Sequence, residues 1–148
     1  ERRVAMADFI EGEFTTVRGP AEVLTEVRIP APAASARYAY CSFGHLERPA
    51  VGIAAGYCPE RGTPHYRIWA GAIAGRPAQL RSVEDALEGV PPDKLGAVPA
   101  EAAPAPAREL PAHDGLQGSA DYKRHLAAVL TRRAVEQAAG LQPRRKAA

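Results

Sequence analysis

Aromatic side chains make up only 6% of the 148 residues, and alanine supplies much of the 46% that is hydrophobic. Alanine buries little area per residue, so the core gains modestly from burial, and contact with a partner surface is expected to matter for stability. Charge of one sign is also scarce. Nineteen Lys and Arg against 17 Asp and Glu leave a net +2, well short of the excess by which polycationic proteins bind nucleic acid or anionic membranes. The triplet Arg144, Arg145 and Lys146 reads as a solvated tail. No apolar run reaches membrane-spanning length, and no secretory signal pattern is present. The two cysteines, Cys41 and Cys58, form no C-x-x-C pair, so neither a zinc nor an iron–sulfur site is expected within the chain. One disulfide or two thiols are both open. Two cysteines without a secretory segment fit a reducing cytoplasm, which is the expected location. The chain opens on Glu1 in mid-pattern and reads as a piece of a longer protein.

Catalytic motifs are lacking as well: no Walker loop, nucleophile elbow, H-E-x-x-H or dinucleotide fingerprint occurs. His45, His65, His113 and His125 show no ligand spacing and read as surface or structural residues. Cys41 near His45 has no third orienting group, so a buried inert thiol is expected. No catalytic residue and no metal site are expected.

What is present is punctuation by 14 prolines and 13 glycines. "RRVAMADF" reads as a strand end entering a turn at "EGEF". Pro20 with Glu22 suggests a helical turn, and "LTEVRIP" a strand stopped by Pro30. "APAAS" is a linker. Three strands are expected over 36–43, 50–58 and 64–75. The middle one is apolar on both faces, as in a strand covered twice, and "PERGT" is the hairpin link after it. Helical patterns follow. "SVEDALEG" has Ser82 as N-cap, Asp85 in the first turn and Gly89 as terminator. Residues 91–111 are irregular, with one helical turn near 99–103. The last helix starts at the N-cap Ser119, with Asp121 in its first turn, and closes at Gly140 and Pro143. Strands first and helices later predict an α+β fold: a small antiparallel sheet of three to four strands packed against a helical layer, with a long C-terminal helix.

That last helix carries Lys123, Arg124, His125, Arg132 and Arg133. Helical spacing puts Tyr122, Leu126, Val129 and Leu130 on one face and Ala127, Ala128, Thr131, Ala134, Val135 and Ala138 opposite. The cations scatter rather than form the stripe that follows phosphates, so a packing helix is predicted and no nucleic-acid partner. Arg133 falls near the centre of the leucine-bearing face. It must reach solvent or find a carboxylate, with Asp114 as candidate and a marked stability loss expected for Arg133→Met if it pairs. The densest polar stretch is "SFGHLERPA" at 42–50, between two strands. It is either an ordinary hairpin turn or a loop presented to a ligand or partner.

Three stretches, "DFIEGEFTTVRGPAEVLTEVRIP", "AGAIAGRPAQLRSVEDALEG" and "DGLQGSADYKRHLAAVLTRRAVEQA", closely resemble the C-terminal part of the FAD-binding medium subunit of molybdenum hydroxylases, the carbon monoxide and xanthine dehydrogenase family. The third is the most specific, with D-x-x-x-G-S-A-x-Y at Asp114 to Tyr122 and Arg132, Arg133 and Ala134 following. The resemblance spans essentially the whole chain. It implies that 1–31 is the tail of an FAD-binding domain and 32–148 the C-terminal domain. It also implies a flavin that passes electrons onward, with molybdopterin and iron–sulfur clusters confined to a large and a small partner subunit. The family's glycine-rich segments that hold the FAD diphosphate are absent from this sequence, so the chain alone is not expected to bind FAD well or to be active. On the family's pattern, Leu24 touches the flavin side, and the loop with Ser42, Phe43, His45, Glu47, Arg48 and Ala50 approaches the flavin ring. Two positions differ: the family often has Lys at Ser42, and its carbon monoxide dehydrogenases have an aromatic residue at Ala50. An interaction module that has lost flavin contact is the alternative.

Overall fold

The computed structural model describes residues 1–44, 49–97 and 110–141. The order is α1 (Met6–Phe9), β1 (Ile10–Gly12), β2 (Thr15–Thr16), β3 (Arg37–Gly44), β4 (Pro49–Tyr57), β5 (Tyr66–Gly71), β6 (Ala78–Gln79), α2 (Arg81–Leu87), a 3₁₀ turn (Pro92–Ala97) and α3 (Ala120–Ala138). Strands β3-β4-β5-β6 form one antiparallel sheet in sequence order, and β1-β2 a separate two-stranded ribbon. The predicted α+β architecture with a long C-terminal helix is the one observed.

The strand pattern explains the layering. In β5, Tyr66, Ile68 and Ala70 are buried while Arg67 is exposed, the period-2 signature of a sheet covered on one side. Val51, Ile53 and Ala55 of β4 join them in the core. α3 lies across β4 and β3, and α2 against β5. The link after β4 has Arg61 at φ 50 and Gly62 at φ 88, bracketed by reciprocal bonds between Glu60 and Thr63 of 2.9 and 2.8 Å. Two consecutive positive φ values are what a type I′ hairpin requires.

α3 begins as expected, with Ser119 Oγ accepting from Tyr122 N at 3.2 Å. It ends in a Schellman motif: Gly140 at φ 82, Gly140 N bonded to Gln137 O and Leu141 N to Glu136 O. Its packed face is the alanine side, where Ala127, Ala134 and Ala138 are fully buried. Small side chains let the helix backbone approach the sheet, and that decides between the two apolar sides.

Arg133 is therefore exposed, and the expectation that Asp114 neutralises it is corrected. Asp114 Oδ1 instead accepts from Ala120 N at 2.6 Å, adding a second cap to α3. The buried cation is Lys123, whose Nζ donates to His113 O at 2.9 Å. Arg124 and Arg132 pair with Asp121 and Glu136 along the helix. Arg133→Met is thus expected to change the unfolding free energy by less than about 0.5 kcal/mol, whereas Ala134→Met, overpacking the helix–sheet contact, should cost about 2 kcal/mol. Denaturant titration of both variants checks this.

Other local expectations are revised too. Residues 6–9 form a helical turn rather than a strand end. Leu80, not Ser82, occupies the position before α2, and no side chain caps the helix. β6 ends at Gln79, and Leu80 N is bonded to Ile68 O at 2.9 Å, so the helix starts at once and Ser82 falls inside its first turn. The strand expected over 24–30 has no ladder partner among the described residues. The chain there is irregular, and Val23, Val27 and Ile29 stand 82%, 65% and 84% exposed. The helical turn expected at Pro20 is a single turn, closed by Glu22 N donating to Gly19 O at 3.0 Å. The expected turn at 99–103, Pro143 and the basic tail lie outside the described residues.

The arm before that segment is held by a clamp. Arg2 donates to both carboxylate oxygens of Glu22 at 2.7 Å and to Val17 O at 2.6 Å, and Gly19 N donates to Glu22 Oε2 at 2.6 Å. The Arg2 bond, then the Gly19 amide, lowers the Glu22 carboxyl to about 2. Because the folded value is the lower one, the clamp contributes fully above about pH 4.5 and is lost as the pH falls through about 2. An NMR titration of the Glu22 carboxyl carbon should give a midpoint near 2, rising in Arg2→Gln toward the ordinary carboxylate range but stopping short of it, because the Gly19 amide still donates to the carboxylate.

Candidate functional site

The hairpin between β3 and β4 gathers three of the sequence-predicted site residues. The ladder runs regularly from Arg37↔Tyr57 to Phe43↔Val51, then slips to Gly44↔Pro49. Ala50 is the extra residue of a bulge, a device that bends a strand end and redirects its side chains. Gly44 makes this possible at φ +113, where a Cβ would come 2.7 Å from Ala50 N. Ser42 is exposed, opposite Gly52. Phe43 is half-exposed and meets Tyr122 of α3 edge to face, with centroids 6.3 Å apart. Ala50 is only 2% exposed. Leu24 lies apart in the irregular segment, 57% exposed. His45, Glu47 and Arg48 lie outside the described residues.

The two faces of the sheet differ. Ala39 and Cys41 of β3 pack toward the core with Val51 and Ile53. The alternate residues therefore form the face opposite α3, in three cross-strand rows: Ser42–Gly52–Gly71, Tyr40–Ala54–Trp69 and Tyr38–Gly56–Arg67. No helix among the described residues covers this face. Tyr38 and Tyr40 are 62% and 63% exposed, yet both rings lie down over β4. A Cβ at Gly56 would meet the Tyr38 ring at 3.0 Å, and one at Gly52 would collide with the Tyr40 hydroxyl. So the double cover expected of β4 comes from α3 on one side and from two tyrosine side chains on the other. Residue composition hid this. The usable signal is two glycines four residues apart in an apolar strand, preceded by a strand with tyrosines at alternate positions.

Both cysteines are free. Cys41 Sγ lies 3.6 Å from Gln137 Oε1. Burial pushes its thiol up, with Arg133 opposing, so it is a poor nucleophile. Tyr66, wholly buried, donates to Val90 O at 2.9 Å. Burial first, then the neighbouring Tyr57, pushes its phenol up to about 12, which keeps it neutral. Among the described residues there is no group of three His, Cys, Asp or Glu placed to hold a metal ion, and no helix long and apolar enough to cross a membrane. The described face is partly aromatic and carries the exposed hydroxyl-bearing side chains of Tyr38, Tyr40 and Ser42.

Residues 51–138 match the family model of the CO dehydrogenase flavoprotein C-terminal domain. The carbon monoxide dehydrogenase medium chain of Afipia carboxidovorans is 32% identical over 145 residues, covering 93% of this chain and 48% of that relative. Among solved structures, a cyanide-inactivated Cu,Mo-CO dehydrogenase chain superposes with a TM-score of 0.80 at 27% identity, over 94% of this chain and 49% of that one. A chain of quinoline 2-oxidoreductase from Pseudomonas putida 86 gives 0.79 at 28% identity, over 94% and 48%. The chain spans about half the length of the relatives it matches.

Proposed function

The chain belongs to the CO dehydrogenase flavoprotein C-terminal domain family, and on that premise we propose that it is the C-terminal half of the FAD-binding medium subunit of a cytoplasmic molybdenum hydroxylase. Residues 1–31 are then the tail of the FAD-binding domain and 32–148 the domain that covers the flavin. A molybdopterin-binding large subunit and an iron–sulfur small subunit are its partners. One observation carries the reading: α3 covers the sheet on one face only, and the bare face begins at Ser42, on the hairpin that the family directs at the flavin.

The residues present fit a flavin in part. On the face opposite α3 the Tyr40 and Tyr38 rings fill the space over Gly52 and Gly56, and Gly71 leaves open space, so what the face offers a flat ring is aromatic side chains and one glycine. The diphosphate needs a nest of backbone amides, and in this family that nest belongs to the upstream half. When bound, FAD supplies an acceptor that takes electrons singly and discharges a pair. This chain's contribution is positional. The bulge at Gly44 and Ala50 fixes the hairpin end, Phe43 braces it on Tyr122, and the apolar face displaces water from one side of the ring. None of the described residues is given a bond-making role in this reading.

Ala50 favours a second reading, an interaction module without flavin contact: its methyl is sealed from solvent and offers a ring nothing to stack on. The full-length subunit decides between them. Purified natively, it should be yellow and release FAD on denaturation. A folded but colourless subunit overturns the first reading in favour of the second.

A further inference from the structure

The stretch 23–29 has the form of a strand without a sheet. Glu26 and Arg28 meet fork to fork, Arg28 Nε donating to Glu26 Oε1 at 2.7 Å and Nη2 to Oε2 at 3.1 Å. Residues two apart share a side in an extended chain and point apart in a helix. Leu24, Glu26 and Arg28 therefore lie on one side, and Val23, Thr25, Val27 and Ile29 on the other. All seven are exposed. Among the described residues none of their backbone amides or carbonyls is bonded. An extended segment with an apolar side and both edges open is ready to add to a sheet. Pro30 and Pro32 follow, and proline ends such pairing.

The clamp on the preceding arm bears on where a partner strand comes from. Arg2 holds both carboxylate oxygens of Glu22 and donates to Val17 O, so residues 2–22 form a closed excursion whose ends lie side by side. Chain leading into Glu1 therefore arrives beside the start of 23–29. A parallel crossover would carry the chain back a strand's length before the second strand began, whereas Arg2 and Glu22 are in contact, as in an antiparallel pair. The chain spans about half the length of the relatives it matches, and on the reading above the other half precedes Glu1. We propose that 23–29 is the second strand of an antiparallel pair whose first strand is the stretch immediately before Glu1. The Arg2–Glu22 clamp closes the connection between them, and Val23, Val27 and Ile29 are buried against the upstream half. The proposal rests on the flavoprotein reading and adds to it the contact by which the two halves are joined. The clamp keeps the upstream stretch at a high effective concentration beside 23–29, an advantage that no separate subunit has.

The test is amide hydrogen exchange and NMR on the full-length subunit, free of other subunits. The 23–29 amides should be protected, and the Hα–Hα contacts of antiparallel neighbours should join them to residues just before Glu1. Val27→Asp puts a charge on the buried side and should speed exchange over 23–29 at least about tenfold. Arg28→Gln, on the other side, should leave it within about twofold. Should Val27→Asp fail to fold, the contacts in the unaltered subunit still decide. Amides that exchange freely in the lone subunit and gain protection only when the large or small subunit is added would make the segment a subunit interface and overturn the proposal. Protection with contacts to a different upstream stretch, or in parallel register, would overturn it as well. FAD content is read from the same sample. A colourless subunit in which 23–29 is paired removes the flavoprotein reading and leaves the strand pairing in place.

Discussion

Replacing Glu84 by leucine is expected to lower the unfolding free energy by about 3 kcal/mol, although leucine is apolar and of similar size. Glu84 is 7% exposed. Its Oε1 accepts from Ile68 N at 2.7 Å, and its Oε2 accepts from Gln79 Nε2 at 2.8 Å. β6 is two residues long and pairs only with Trp69 and Ala70. One residue further along β5 the ladder has run out, and a carboxylate from α2 serves the Ile68 amide that a longer strand would have served. A hydrogen bond to a charged group contributes about 1.5–3 kcal/mol, and orphaning a buried amide costs about 1–3 kcal/mol. Leucine forfeits the bond and orphans the amide, while glutamine keeps an acceptor and should cost about 1 kcal/mol. Denaturant unfolding at constant m-value separates them. Equal losses for the two variants would show that packing, not the hydrogen bond, sets the effect.

Gly44→Ala should be comparably severe and more local. At φ +113 any side chain is strained by about 1–3 kcal/mol. In addition the new Cβ would stand 2.7 Å from the backbone nitrogen of Ala50, which no rotamer change relieves. A total loss of about 3 kcal/mol is expected. The displacement falls on the end of β3 and β4, so amide shifts in two-dimensional NMR should concentrate at Ser42, Phe43 and Val51 and spare β5. Shifts spread evenly over the sheet would contradict the view that Gly44 acts by shaping this bulge.

Features written in local chemistry were legible. In β5, Tyr66, Ile68 and Ala70 alternate with Arg67 and Trp69, and that alternation alone marks the buried side. Ser119 and Gly140 marked both ends of α3, because a cap is a contact between near neighbours. The segment with Val23, Val27 and Ile29 has a strand's alternation, but a ladder needs a second strand, and none among the described residues lies beside it. β6 is too short for any period to show. For α3 the angular placement of Arg133 was sound, but its consequence was not. Hydrophobicity could not say which apolar side meets the sheet, and closest approach favoured Ala127 and Ala134 over Leu126 and Val129.

The candidate site was legible to a similar depth. The hairpin with Ser42 and Ala50 was identified through the family resemblance. The packing of Tyr40 over Gly52 was not, because it exists only once the strand register is set. The burial of Ala50 was equally hidden, since a bulge is a one-residue slip between strands and leaves no pattern in either strand alone.

Amide hydrogen exchange on the full-length subunit, with FAD bound and after its removal, tests most directly whether this domain covers the flavin. Removal of FAD should speed exchange in peptides spanning β3, the start of β4 and the end of β5, while α3 keeps its protection because it lies on the opposite face. Exchange unchanged in those three strand segments, with changes confined to the upstream half, would show that the domain does not cover the cofactor.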